Sequence, residues 1–364
     1  MEHNNLLLEW LFEEQRIRLN RGPIFDLDPG PVDAMARDRV EGMLLGLAIG
    51  DALGYTTEAM RPGERRRVFG EIRDYRPGVR GEGRTGLPSD DTQLAFWTLE
   101  QLLEDGHLVP EHVARRFLNN RAHIRGIGRT VRAFLDRLEM GYPWYEAAPH
   151  SAGNGALMRI APIILPHLRT GTRALWWDAA LLAMLTHNDA ASTAGCLAFV
   201  FIWWQLLQGI RPDHPDWWIE TYVSVARHLE TSNYRPRGGE YLDFEGPVWQ
   251  FVARHVPEAY YQDMSVREAC DRWYSGAFLL ETVPSVLYIL MRHADDPEEA
   301  IVRAVNDTYD NDTIAAIVGA TVGAMHGAQA LPERWRRGLP GELYGDDPGR
   351  VQRLITQAME QFGP

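Results

Sequence analysis

The sequence predicts an all-α protein, a compact single-domain helical bundle, and three observations predict it. Apolar residues recur at helical spacing: in DDTQLAFWTLEQLLEDG, Ala95, Leu99, Leu102 and Leu103 fall at i, i+4, i+7 and i+8, and Gly106 supplies a stop. No run of alternating apolar and polar residues reads as a set of strands, and no repeat of 20 to 50 residues is present. Two segments carry glycine at every fourth position, Gly42, Gly46, Gly50 and Gly54 in the first and Gly319, Gly323 and Gly327 in the second. Glycine inside a helix costs roughly 1 kcal/mol against alanine, so such a stripe is kept where another backbone must come close.

Taken in order, residues 1–38 form an N-terminal arm distinct from the main domain, 39–364. An amphipathic stretch from Leu6 to Leu19 predicts a short helix, and RGPIFDLDPGPVD after it predicts an extended segment. Further helices are expected over 174–187, 190–208, 216–230, 276–293, 297–307 and 313–330. The two glycine-striped helices are expected at the centre of the bundle, their glycine faces against other helices or against each other. The first stripe includes Glu41 and Asp51, which suits a soluble core better than a membrane dimer face.

Bulk properties narrow the chemistry. A chain of 364 residues, 45% hydrophobic, can bury a full core without disulfide staples. A net charge of -13 argues against nucleic acid as the main partner. The two cysteines, Cys196 and Cys270, have neither zinc-site nor disulfide-framework spacing, which fits a reducing cytoplasm. The N-terminus MEHNNLLLEWLFEEQ does not read as a secretory signal, and no stretch is expected to span a membrane uninterrupted by charge. All 37 basic residues are arginine. The absence of lysine excludes Schiff-base chemistry and a Walker-type phosphate loop.

Two acidic clusters carry the chemical signal. Ser89-Asp90-Asp91-Thr92 opens one helix, and Asp310-Asn311-Asp312-Thr313 opens another. An N-cap serine followed by acids is also ordinary helix-start chemistry. Together, though, each cluster offers two carboxylates and a hydroxyl, hard oxygen ligands suited to Mg²⁺ or Mn²⁺. Four converging carboxylates repel strongly, and bound metal is the simplest remedy.

From about Val40 to about Ala330 the chain resembles the ADP-ribosylglycohydrolase family. The resemblance rests on EGMLLGLAIGDALGYTTE, SDDTQ, RGIGRTVR, SAGNGALMRIAPI, LTHNDAA, FLLETVPSVLYIL and DNDTIAAIVGA, in that order. It implies an all-α fold with a dinuclear Mg²⁺ or Mn²⁺ site at helix N-termini, the metals bound by Ser89, Asp90, Asp91, Asp310, Asp312 and Thr313. Ser89 stands where many members have threonine; both offer a hydroxyl. It implies catalytic roles for Glu58 and Asp312. Gly126 and Gly128 would approach a pyrophosphate, and Ser151, Gly153, Asn154, Gly155 and His187 would line the ADP-ribose site. Asp189 departs from the proline or histidine often found after the asparagine at this position, here Asn188.

The function so implied is hydrolysis of the bond between ADP-ribose and a modified protein side chain, arginine first among the acceptors. A binding protein that retains ADP-ribose or a toxin without turnover is one alternative. A dinuclear phosphoesterase is another, weakened by the lack of histidine in either acidic cluster. For the arm two readings stand. It packs on its own domain, or it binds a partner, such as a cognate ADP-ribosyltransferase toxin that this chain would oppose as an immunity protein. The cluster Leu6, Leu7, Leu8, Trp10, Leu11 and Phe12 motivates the second.

Overall fold

The two glycine stripes meet each other. In the computed structural model, which describes residues 2–77 and 84–364, the helices Arg37–Gly54 and Asn311–His326 run antiparallel in backbone contact. A methyl group on Gly46 would stand 2.1 Å from the Gly319 carbonyl oxygen, and one on Gly50 would stand 2.0 Å from that of Ala315. Gly42 and Gly323 are paired in the same way. No side chain fits at these positions, which is why the cost of helical glycine is borne here. Gly327 differs from expectation. It lies just past the helix end with φ 91°, so it stops the helix by a turn that side-chain-bearing residues resist.

Around this pair the chain winds as α1 (Glu2–Glu13), α2 (Arg37–Gly54), α3 (Pro62–Phe69), α4 (Asp90–Asp105), α5 (Pro110–Asn119), α6 (Arg129–Glu139), α7 (Trp144–Ala147), α8 (Ala174–Met184) and α9 (Ala190–Leu207). It continues as α10 (Trp217–Ala226), α11 (Val248–Tyr261), α12 (Val266–Arg272), α13 (Leu279–His293), α14 (Pro297–Asp307), α15 (Asn311–His326), α16 (Glu333–Gly338) and α17 (Arg350–Gln361). Among the described residues no strand forms, only isolated bridges such as Gly153 with Phe278. The fold is all-α, with α2 and α15 at its centre. Gly106 ends α4 in the left-handed conformation, φ 74°. The expected helix 297–307 is found with those bounds. The helices expected over 174–187 and 216–230 end three to four residues early, and that over 276–293 starts late.

One expectation is corrected. Ala190–Leu207 is an 18-residue helix with no charge, long and apolar enough by composition to cross a membrane. Here 89% of it is buried inside the fold, packed against α8 and α10 as core.

The arm packs on its own domain. In α1, Leu8 and Leu11 are buried, Leu7, Trp10 and Phe12 lie against the core, and Leu6 is exposed. Asn4 Nδ2 donates to Leu108 O at 2.9 Å and to Asp178 Oδ1 at 2.7 Å, while His167 Nε2 lies 2.9 Å from Asp178 Oδ2. The extended stretch runs over the domain through Gly30 N to Gly171 O, Val32 N to Leu168 O and Trp176 Nε1 to Leu27 O. The apolar cluster expected to face a partner is thus mostly spent on internal packing.

Candidate active-site cleft

The end of α2 and the start of α15 set the floor of the site. Asn311 Nδ2 donates to Gly54 O and to Thr57 Oγ1, each at 3.0 Å, so the middle residue of Asp310-Asn311-Asp312 turns away from the acids and fastens α2. The backbone ahead of α15 hangs from Ser275, whose carbonyl accepts from Asp310 N at 2.9 Å and whose hydroxyl accepts from Tyr309 N at 3.0 Å. Tyr274 and Ser275 hold positive φ, 75° and 46°, a strained pair kept at the edge of the acidic cluster.

The start of α4 is fixed by Asp51 of α2. Its carboxylate accepts from Ser89 N at 3.0 Å, from Thr92 N at 3.1 Å and from the Thr92 hydroxyl. Sequence reasoning gave Asp51 no role as a ligand or catalyst. The available sign was a carboxylate in the otherwise apolar stretch 42–54 of a glycine-striped helix. Asp51, Asp91 and Asp312 each bring one oxygen to within 4.8 Å of the others.

These elements open onto a cleft of about 340 Å³. It is lined by Glu58, Asp90 and Asp91, by Gly126 and Gly128, by Ser151, Gly153, Asn154 and Gly155, by His187, and by Asp310, Asp312 and Thr313. Of the residues singled out in the sequence, Ser89 does not line it. Its hydroxyl donates to Asp91 Oδ2 at 2.9 Å and accepts from Asp91 N at 3.2 Å as the N-cap of α4. The lining residues not foreseen include Arg129, Phe278 and Arg237. Arg237 lies over the Phe278 ring at 4.8 Å and forks onto the buried Glu281 carboxylate, 2.8 Å from Nη2 and 3.1 Å from Nε. The motif FLLETVPS contained Glu281 and Phe278, but a lone arginine in an irregular loop has no periodicity to mark it.

The remaining predicted residues are held as follows. Asn154 Nδ2 donates to Asp310 Oδ2 at 2.6 Å and to Thr282 Oγ1 at 2.9 Å. Its backbone N–H bonds Ala277 O, and Leu279 N bonds Ala152 O, which pins loop 151–155 to the start of α13. A methyl group on Gly155 would stand 2.8 Å from the His187 ring, and one on Gly153 would stand 3.3 Å from its Nε2. The Nε2 edge of the imidazole packs against both glycines, most tightly against Gly155. Gly126 has φ 72°, and Gly128 N donates to Asp90 Oδ2 at 3.3 Å. Asp189, the departure at the rim, caps α9, bonds the Tyr234 hydroxyl at 2.8 Å and lies 2.7 Å from His150 Nε2.

The acids raise one another. Burial, then neighbouring carboxylates, hold Asp90, Asp91 and Asp312 well above the usual carboxylate range; Glu58 contributes to Asp90 and Asp312. Burial pushes Asp310 up to about 6. Asp91 Oδ1 and Asp312 Oδ1 are buried without a hydrogen-bond partner. Orphaned carboxylate oxygens in a clustered all-oxygen set fit a hard divalent cation.

Comparison with known proteins shows the family. A family model described as ADP-ribosylglycohydrolase matches residues 33–363. The chain is 26% identical over 310 residues to the ADP-ribosylarginine hydrolase Tri1 of Pseudomonas putida (strain GB-1), covering 82% of this chain and 74% of that one. It is 26% identical to the ADP-ribosyl-[dinitrogen reductase] glycohydrolase of Rhodospirillum rubrum, covering 88% of this chain and 97% of the other. A solved structure described as an ADP-ribosylglycohydrolase-related protein complex superposes with a TM-score of 0.65 at 25% identity, covering 90% of this chain and 98% of that one.

Proposed function

This chain belongs to the ADP-ribosylglycohydrolase family, and on that premise we propose that it hydrolyses the bond joining ADP-ribose to a modified protein side chain, with arginine as the acceptor. The observation that carries the reading is the pair of orphaned oxygens, Asp91 Oδ1 and Asp312 Oδ1, in one cleft with the glycine loops 126–128 and 151–155. The arginine linkage is supported by the name of the Tri1 relative.

Asp90, Asp91, Asp310, Asp312 and Thr313 would hold two divalent ions, Mg²⁺ or Mn²⁺, with Ser89 bracing Asp91. When bound, such ions would orient the ribose hydroxyls and offset charge that develops as the anomeric bond breaks. The chain's own groups do the rest. Asn154 keeps the Asp310 carboxylate turned into the cleft. Loops 126–128 and 151–155 bring backbone close to the diphosphate, which side chains there would block. Glu58 lines the cleft and is close enough to Asp90 and Asp312 to raise both. It would hold the attacking water and take its proton. The already protonated guanidino group of an arginine acceptor would leave as neutral guanidine, a strong base that takes up the proton Glu58 removes from the water, so little further acid catalysis is needed.

The test is release of free ADP-ribose from protein modified on arginine, beside the same protein modified on serine, with Mg²⁺, with Mn²⁺ and with chelator. Metal-dependent release from the arginine linkage supports the proposal. Saturable binding without release would make the chain an occluding protein, and liberation of phosphate would make it a phosphoesterase.

A further inference from the structure

His187 reaches the cleft at the end of a buried chain of polar groups that starts at Arg159. Arg159 is fully buried, its guanidinium 5.5 Å above the Phe117 ring. Its Nη2 donates to Leu182 O at 3.0 Å and to Thr186 Oγ1 at 2.7 Å. Thr186 Oγ1 in turn lies 2.9 Å from His187 Nδ1. Thr186 is itself fully buried.

The order of donors along this chain is forced. A guanidinium carries only donors, so the Thr186 oxygen must accept from it. The hydroxyl hydrogen then needs an acceptor, and His187 Nδ1 is the one within reach. Were Nδ1 to carry a proton, the Thr186 oxygen could accept it on its second lone pair, but the buried hydroxyl hydrogen would then go unsatisfied, at a cost of about 1–3 kcal/mol. The ring proton therefore sits on Nε2, the atom that lies beneath Gly153 and Gly155.

We propose that Arg159, acting through Thr186, is a positioning residue that fixes His187 as the Nε2–H tautomer, so that the cleft is offered a neutral hydrogen-bond donor. This rests on the reading that the cleft takes ADP-ribose, whose diphosphate and ribose oxygens are the acceptors such a donor suits. Burial, with the Arg159 charge beside it, pushes His187 down to about 3, so the ring stays neutral. A histidine so held is no general base, which leaves that task to the carboxylates. Gly153 and Gly155 complete the device, since a methyl group on either would press on the ring edge that bears the proton.

The experiment uses the full chain labelled with ¹⁵N-histidine and loaded with Mg²⁺. A long-range ¹H–¹⁵N correlation spectrum separates protonated from bare ring nitrogens, and a His187→Gln sample assigns the resonances. Wild type is expected to show Nε2 protonated and Nδ1 bare from pH 5.5 to 8. Thr186→Val should lose the single-tautomer pattern and weaken ADP-ribose binding about tenfold, as for one lost hydrogen bond to an anionic acceptor. Thr186→Ser should restore both. A wild-type spectrum with Nδ1 protonated overturns the proposal without any variant. So does a folded Thr186→Val protein with an unchanged tautomer and unchanged affinity. A protein with the expected tautomer that neither binds nor releases ADP-ribose leaves the relay standing and overturns the functional reading instead.

Discussion

A methyl group on Gly54 would stand 2.5 Å from the Cα of Asp312. The last residue of one central helix thus touches the backbone of an acidic residue in the first turn of the other. The close approach of α2 and α15 therefore helps set how near Asp51 and Asp312 stand, and packing and chemistry are coupled through glycine.

Substituting within the stripe should test that coupling. Gly46→Ala is expected to destabilise by roughly 1–3 kcal/mol, because the added carbon meets backbone that cannot swing aside. Gly46→Leu should cost more. Gly54→Ala, at the site end, should lose divalent-ion affinity out of proportion to its fall in melting temperature. Denaturant titration and metal titration of the same samples compare the two losses; equal stability in Gly46→Ala and wild type would refute the backbone contact.

Replacing Asp312 with Asn should abolish turnover and leave the fold intact. Without metal the variant is expected to melt higher than wild type, since one of several mutually repelling buried carboxylates is gone. With saturating Mg²⁺ the order should reverse, because wild type gains binding energy that the variant lacks. Scanning fluorimetry with and without Mg²⁺ reads both; a variant stabilised by Mg²⁺ as much as wild type would remove Asp312 from the metal set.

Away from the site, Glu230 predicts a pH dependence. It accepts from Val248 N at 2.6 Å and Trp249 N at 3.1 Å at the start of α11, yet burial pushes it up to about 8 from an ordinary 4.5. Its folded value exceeds its unfolded one, so the folded state retains a proton that the unfolded state has lost. Stability from this group is complete below about 4.5 and is lost as pH rises towards 8. Glu230→Gln should flatten that decline by up to one proton's worth of slope. Urea unfolding at a series of pH values measures it, and parallel wild-type and variant curves would contradict the assignment.

Removing residues 1–36 should lower the melting temperature markedly. The deletion uncovers the side of α8 against which Leu8 and Leu11 pack, and it leaves Asp178 without Asn4. A truncated chain that melts with the full one would show the arm to be dispensable for stability and reopen a role in binding.

Much of this was legible in the sequence because it is periodic or contiguous. The glycine stripes have a period of four, and α2 and α15 meet along them. Asp90, Asp91, Asp310 and Asp312 sit in short runs that mark helix starts, and the cleft gathers them. What escaped depends on contacts between distant segments. Arg237 reaches the cleft because Glu281 and Phe278, over forty positions away, hold it there. Asp51 serves α4 from across the core, so its partners cannot be read from its neighbours. The arm stood between two readings for a related reason. Its apolar residues were visible, but the surface of α8 that receives them was not.

Asp91 and Asp310 are separated by about 220 residues. During synthesis a ribosome-tethered chain that has not yet released α15 possesses only half of the acidic set. It also lacks the helix against which the glycines of α2 close. The acidic set therefore cannot assemble until α2, α4 and α15 have all been made and packed together.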